Sequence, residues 1–175
     1  MLELFGLGAL LLAAIFWGPY VMKTAKKGAP FVPLEPEVVE EVMKLAKVGE
    51  DDVFYDLGSG DGRLVIAAAL RGAKEAYGVE IDPLRVFYSR LWLKIMRCRN
   101  AKIFKQDIFK TDLSGATVIT LYLLQETNDK LTEKLKKELP KGARVVSIAF
   151  SLPGWEPVKV SPIGPIYGPV YLYIV

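Results

Sequence analysis

Apolar positions along this chain begin as one long block and then break into short runs alternating with helical stripes. Leu4 to Met22 carries no charge. As a helix rising about 1.5 Å per residue, it would reach close to 30 Å, the hydrocarbon thickness of a bilayer. Lys23, Lys26 and Lys27 follow at once, and no basic residue precedes the block. The positive-inside rule then predicts a single-pass anchor over residues 1–22, a cell-membrane location and a cytoplasmic domain. A cleaved secretory signal needs a basic leading region, which is absent. A helix packed on the domain is the plainer alternative.

Beyond that block the pattern changes. Residues 23–36 are basic and then proline-rich, which predicts a linker before a domain at 37–175. Apolar residues at 38, 39, 42, 43, 45 and 46 form a helical stripe over Glu37–Lys47. Val53-Phe54-Tyr55 reads as a strand, Leu64 to Leu70 as a helix, and Glu75 to Ile81 as a second strand. Pro83, in the first turn behind an Asp82 cap, opens a helix running to about Arg99. Strands are expected at 101–104, 117–123 and 144–150, with a helix over 128–139. Strand alternating with helix predicts a Rossmann-like α/β domain with a mostly parallel sheet. Pro157 to Val160 and Val170 to Val175 have no room for a helix between them, so the sheet should end in an antiparallel hairpin.

Composition narrows the chemistry. The chain has 175 residues, enough for one compact domain, with one cysteine and no histidine. That excludes an intramolecular disulfide, Ser-His-Asp and Cys-His catalysis, and any His-ligated metal site. Cys98 fits a reducing compartment and an inert thiol. Few Asn and Gln beside many Lys and Glu resembles a thermophile's composition. Residues 23–175 carry a mild net positive charge, too small to imply nucleic acid. The helix from Arg85 to Arg99 mixes bases with Phe87, Tyr88 and Trp92. Its expected packing buries those aromatics on the sheet and solvates the charges, with a nucleic-acid surface and, given the anchor, Lys/Arg facing anionic headgroups as the alternatives.

The most informative run is Asp56-Leu57-Gly58-Ser59-Gly60-Asp61-Gly62-Arg63, between strand and helix. Such a turn can bring backbone N–H groups against a nucleotide-like ligand. The dinucleotide fingerprint is G-x-G-x-x-G, whereas here the third glycine comes one position early and Asp56 leads the loop. That variant fits S-adenosylmethionine, which carries an ammonium and a sulfonium instead of a pyrophosphate. Asp56 can offset the local positive charge, and Gly58 and Gly60 let the backbone approach closely. Glu80 is expected to accept from the ribose hydroxyls and Asp107 from the adenine amino group, with Ile108 and Phe109 as an apolar wall. Taken singly, Asp56 and Asp61 are ordinary turn formers and Glu80 a solvated strand end. Their coincidence favours the methyl donor.

Several segments resemble one family. They are Gly28 to Pro33, Asp56 to Arg63, Gly78-Val79-Glu80-Ile81-Asp82, Lys134 to Leu139 with Gly142 to Ser147, and Phe150 to Trp155. Together they resemble class I protein-lysine methyltransferases, the family that includes the ATP-synthase c-subunit lysine methyltransferase and archaeal broad-specificity enzymes. The resemblance implies a methyltransferase using S-adenosylmethionine without a metal, and a protein substrate with an accessible lysine. It places Phe31, Pro33, Asp56, Gly58, Ser59, Gly60, Gly62, Glu80, Ile81, Asp107 and Ile108 at the cofactor. Leu34 stands where a small hydroxyl residue is expected. Tyr122 and Glu126, at and just after the fourth strand, are the candidates to meet the incoming amine. For Tyr122 a core role competes, and for Glu126 a helix N-terminal charge. An RNA or small-metabolite methyltransferase, or a non-catalytic binding module, are the alternative readings.

Overall fold

A computed structural model describes residues 31–162 and 167–175. The chain divides into two compact units, 1–32 and 33–175. The second unit is the α/β domain. Its first helix, α1 (Pro36–Ala46), starts on a proline and buries Val38, Val42, Met43, Leu45 and Ala46. It stops at Lys47, whose left-handed backbone sends its N–H back to Lys44 O. Strand β1 (Val53–Leu57) leads through the glycine loop into α2 (Arg63–Leu70). Then come β2 (Glu75–Glu80), α3 (Pro83–Ile95) and β3 (Ala101–Lys105). Only a 3₁₀ turn at Ile108–Lys110 stands between β3 and β4 (Val118–Leu121). Helix α4 (Gln125–Glu138), β5 (Arg144–Ile148), β6 (Lys159–Pro162) and β7 (Pro169–Ile174) complete the unit.

The seven strands form one sheet in the order β3-β2-β1-β4-β5-β7-β6. Six strands run in the same direction, and β7, between β5 and β6, is antiparallel to both. The expected terminal hairpin is present, with β7 inserted beside β5. Successive strands are added outward in one direction from β1 to β3 and in the other from β4 onward, so the strand order switches between β1 and β4 and opens a crevice at the carboxyl ends of these two parallel strands. Two apolar clusters sandwich the sheet. One joins α1, α2 and α3 through Val42, Val65 and Leu93 to Phe54, Ile103 and Val146. The other packs Leu131 and Leu135 of α4 on Leu57, Val79, Ile119 and Val145. Each such fully buried leucine is worth about 2 kcal/mol of transfer free energy. At the opposite end of the strands, Asp52 accepts from Gly49 N, Thr117 Oγ1 and Arg144, tying β1 to β4 and β5.

Two expectations change. Helix α3 does not bury its aromatics: its inner stripe is Val86, Ser89 and Leu93, while Phe87, Tyr88 and Trp92 are 63%, 57% and 49% exposed. The cause is close packing at the glycine loop, where a Cβ on Gly62 would lie 3.1 Å from Ser89 Cβ. A bulky ring has no room on that side. Among the described residues no helix is long and apolar enough to cross a membrane, which overturns the single-pass cell-membrane localisation expected from the sequence. The segment at 4–22 that prompted it lies outside the described residues.

Candidate cofactor and acceptor site

The loop after β1 is wound by three glycines with positive φ, +84° at Gly58, +54° at Gly60 and +82° at Gly62. Its amides are turned inward. Gly58 N and Ser59 N donate to Val79 O at 2.8 and 3.0 Å, Gly60 N to Glu80 Oε2 at 2.9 Å, and Gly62 N to Ser59 O at 2.8 Å. This reverses the expectation that these N–H groups face a ligand. A pyrophosphate site needs such donors free, so the geometry speaks against a dinucleotide. Close approach is nonetheless built in. A Cβ on Gly58 would lie 2.8 Å from Leu123 Cδ2, and one on Gly78 would lie 2.5 Å from Ile103 Cδ1 and 2.6 Å from Ser59 Oγ. That Ser59 hydroxyl is buried and has no hydrogen-bond partner among the described residues.

Glu80 closes β2 with its carboxylate 4% exposed. Oε2 holds Gly60 N, Oε1 accepts from Asp82 N at 2.8 Å, and Arg85 lies 3.8 Å away. One carboxylate thus clamps the glycine loop to the start of α3. Each of its oxygens keeps a lone pair beyond these bonds, so hydroxyl donors can still be accepted. Asp82 in turn caps α3 by accepting from Leu84 N and Arg85 N at 3.0 Å.

Asp56, near the end of β1, is buried at 4% exposure. Its Oδ1 accepts from Thr120 Oγ1 of β4 at 2.7 Å. Burial drives its pKa up to about 7, against the lowering by Thr120, and the nearby charges of Asp61 and Glu80 push it further up. Asp61 itself pairs with Arg63, and among the described residues no cation is paired with Asp56. A buried carboxylate held between two acids calls for a cationic ligand.

Asp107 lies two residues beyond β3, not at its end, and caps the 3₁₀ turn by accepting from Phe109 N at 3.0 Å. Ile108 packs against the α4-side core, and Ile81 and Phe109 are exposed. Around the end of β4, Tyr122 packs against the α1-side core, and burial raises its pKa. Glu126 sits in the first turn of α4, its side chain 80% exposed and paired with Lys130 at 2.8 Å. That pair holds its pKa below the ordinary carboxylate value. Phe31 belongs to the first unit. Pro33 is exposed, and its carbonyl accepts from Tyr167 Oη at 3.4 Å. Leu34 is buried, and its carbonyl accepts from Arg63 Nη1. The structure therefore gathers Asp56, the loop and Glu80 tightly, while Glu126 stands apart in solvent.

Three neighbours of this site are not legible in the sequence. Thr120 is visible only once β4 is paired to β1, where it lies opposite Asp56. Arg63 has the spacing of a plain helix start, yet it links Asp61 to Leu34 O. Tyr167, in the Gly/Pro-rich stretch before β7, is buried and reaches Pro33.

The sheet order, the inward-held glycine loop and the acidic β1 and β2 ends define an S-adenosylmethionine-dependent methyltransferase of the Rossmann-like class. A crystal structure described as an RNA methyltransferase from Salinibacter ruber, in complex with S-adenosyl-L-homocysteine, matches with a TM-score of 0.78 at 40% identity, over 82% of this chain and 93% of that one. Within the class, the chain belongs to the ANTKMT methyltransferase domain family, whose model matches residues 56–159. It is 42% identical over 150 residues to the protein-lysine N-methyltransferase of Saccharolobus islandicus (strain REY15A), covering 83% of this chain and 93% of that protein. The adenine nucleotide translocase lysine N-methyltransferase of Mus musculus is 38% identical over 75% of this chain and 57% of its own length. The ATP-synthase c-subunit lysine N-methyltransferase of Homo sapiens is 34% identical over 82% of this chain and 61% of its own length. The chain thus spans under two thirds of these last two relatives.

Proposed function

We propose that this methyltransferase acts on the ε-amine of a lysine in a protein substrate. The observation that carries the reading is the 42% identity to a protein-lysine N-methyltransferase of which the chain covers 93%. The site is consistent with the methyl donor on this chain's own terms: among the described residues, Asp56 is a buried carboxylate without a paired cation and Ser59 Oγ a buried hydroxyl without a partner. When bound, S-adenosylmethionine supplies an electrophilic methyl group on sulfonium. Asp56, with Thr120 fixing its orientation, would hold the ammonium end. Glu80 would accept from the ribose hydroxyls, and Asp107, Ile81 and Ile108 would enclose the base. Gly58, Ser59, Gly60 and Gly62 shape the floor, with Pro33 assigned to the methionine end.

A free lysine has a pKa near 10.4, so about one in a few thousand is neutral at pH 7. The chain must therefore desolvate the amine or take its proton, and align it. Tyr122, a phenol neutral at neutral pH whose pKa burial raises further, is assigned to accept a hydrogen bond from the incoming amine. Glu126 is assigned the proton, although its exposure and its pair with Lys130 equally suit a charge at a helix N-terminus.

The Salinibacter neighbour's description supports a second reading, an RNA acceptor. Incubation of cell lysate with S-adenosylmethionine labelled in its methyl group separates the two. Label in protein lysines is expected. Label confined to RNA or to small molecules would refute the lysine reading, and cofactor binding without transfer would make the chain a non-catalytic module.

A further inference from the structure

Helix α3 presents solvent with an unbroken apolar stripe. The aromatics Phe87, Tyr88 and Trp92 are joined on one face by the aliphatics Leu84, Leu91, Ile95 and Met96, spaced at three and four residues. All seven are between 42% and 63% exposed. Single exposed apolar residues are ordinary, but a contiguous stripe of this size marks an interaction surface. Beside it, between the end of α3 and β3, lies a groove of about 460 Å³ rimmed by Arg90, Lys94, Arg97, Arg99 and Lys102. Residues 83–105 carry Lys and Arg and not one Asp or Glu. The proposed methyl-transfer chemistry uses neither feature.

We propose that α3 and the groove beside it form a peripheral docking site for a bilayer surface rich in anionic phospholipid. The stripe enters the headgroup–acyl boundary, and the basic groove takes the phosphate and carboxylate groups. An exposed face combining Trp, Phe and Leu with flanking Lys and Arg has the makeup of an interfacial helix. Charge complementarity selects this occupant over others. A second copy would bring two all-basic faces together, and four of the seven stripe residues are aliphatic, offering no ring on which a nucleobase can stack. The contact belongs to the described domain, lies parallel to the bilayer and needs no membrane-spanning segment.

The test is co-sedimentation of the full chain with vesicles of phosphatidylcholine alone, or with about one third phosphatidylserine. Binding to the anionic vesicles is expected, weakening with salt. Leu91→Glu with Ile95→Glu should weaken it by about tenfold or more. Lys94→Gln with Arg99→Gln should weaken it and flatten the salt dependence. Both pairs lie on exposed positions away from the glycine loop, so unchanged circular dichroism and S-adenosylmethionine binding check the fold separately. Lipids brominated in the acyl chains report depth: they should quench tryptophan emission less in Trp92→Phe than in the parent chain. No binding to anionic vesicles, equal binding to both vesicle types, binding untouched by either pair, or quenching untouched by Trp92→Phe would each overturn the proposal. So would a dimer, or retention by single-stranded RNA, that the Leu91/Ile95 pair abolishes while vesicle binding stays. None of these readouts depends on which acceptor is methylated.

Discussion

Asp56→Asn should make the cofactor-free protein more stable at neutral pH while weakening cofactor binding. The carboxyl is 4% exposed, and its pKa rises from an ordinary 3.8 to about 7 because burial penalises its charged form. At ~1.4 kcal/mol per tenfold in proton affinity, that rise corresponds to about 4 kcal/mol of linked free energy. The sign follows from proton counting. Between about pH 4 and pH 7 the folded protein binds more protons at Asp56 than the unfolded chain does. The stability it contributes is therefore complete below about pH 4, falls as pH rises and levels off above about pH 7. Asn is neutral throughout, and its amide oxygen can still accept from Thr120. Urea unfolding of both proteins between about pH 5 and 8 should show the stability difference in favour of Asn growing by about 3 kcal/mol with rising pH. Over the same range, S-adenosylmethionine should bind the parent protein more tightly as pH rises toward 7, because a cationic ligand favours the ionised form. A stability difference that stays flat with pH would refute the buried-carboxylate argument.

Gly78→Ala places a Cβ 2.5 Å from Ile103 Cδ1 and 2.6 Å from Ser59 Oγ, so β2 must shift against the loop. A loss of about 2 kcal/mol or more is expected in denaturant melts, with weaker S-adenosylmethionine binding in calorimetry. Ala149 holds φ +70° just after β5, and Ala149→Gly should relieve that strain and stabilise by about 1 kcal/mol, read as a higher melting temperature. Glu126→Gln decides the proton acceptor: a methylation rate and pH profile equal to those of the parent would dismiss Glu126 from that role. Tyr122→Phe should lower the methylation rate about tenfold or more while leaving cofactor affinity unchanged, if the hydroxyl aligns the amine.

Much of the architecture could be read from local pattern. Pro83 behind Asp82, the stripe of α1 and the Gly/Pro-rich segment before the last strand each state an element's start, face or end within a few residues. The glycine spacing with Asp56 and Glu80 likewise points to the cofactor class, because those residues lie at the ends of the first two strands wherever the remaining strands go. The side on which α3 packs was not legible. Its two faces are both largely apolar, and only the approach of Ser89 to Gly62 decides that the small residue turns inward and Trp92 outward.

The amino-acid order alone determined the elements, the early third glycine and the acidic residues that choose S-adenosylmethionine over a dinucleotide, since these are matters of spacing and backbone freedom. Tertiary structure alone decided that the loop's amides bond to β2 rather than face a ligand. It also decided that Thr120 grips Asp56 from another strand and that Glu80 clamps the loop to α3. The Gly60–Glu80 and Asp56–Thr120 contacts join residues 20 and 64 positions apart. Their energetics come from burial in a low-dielectric crevice, a property of the packed sheet that no single segment carries.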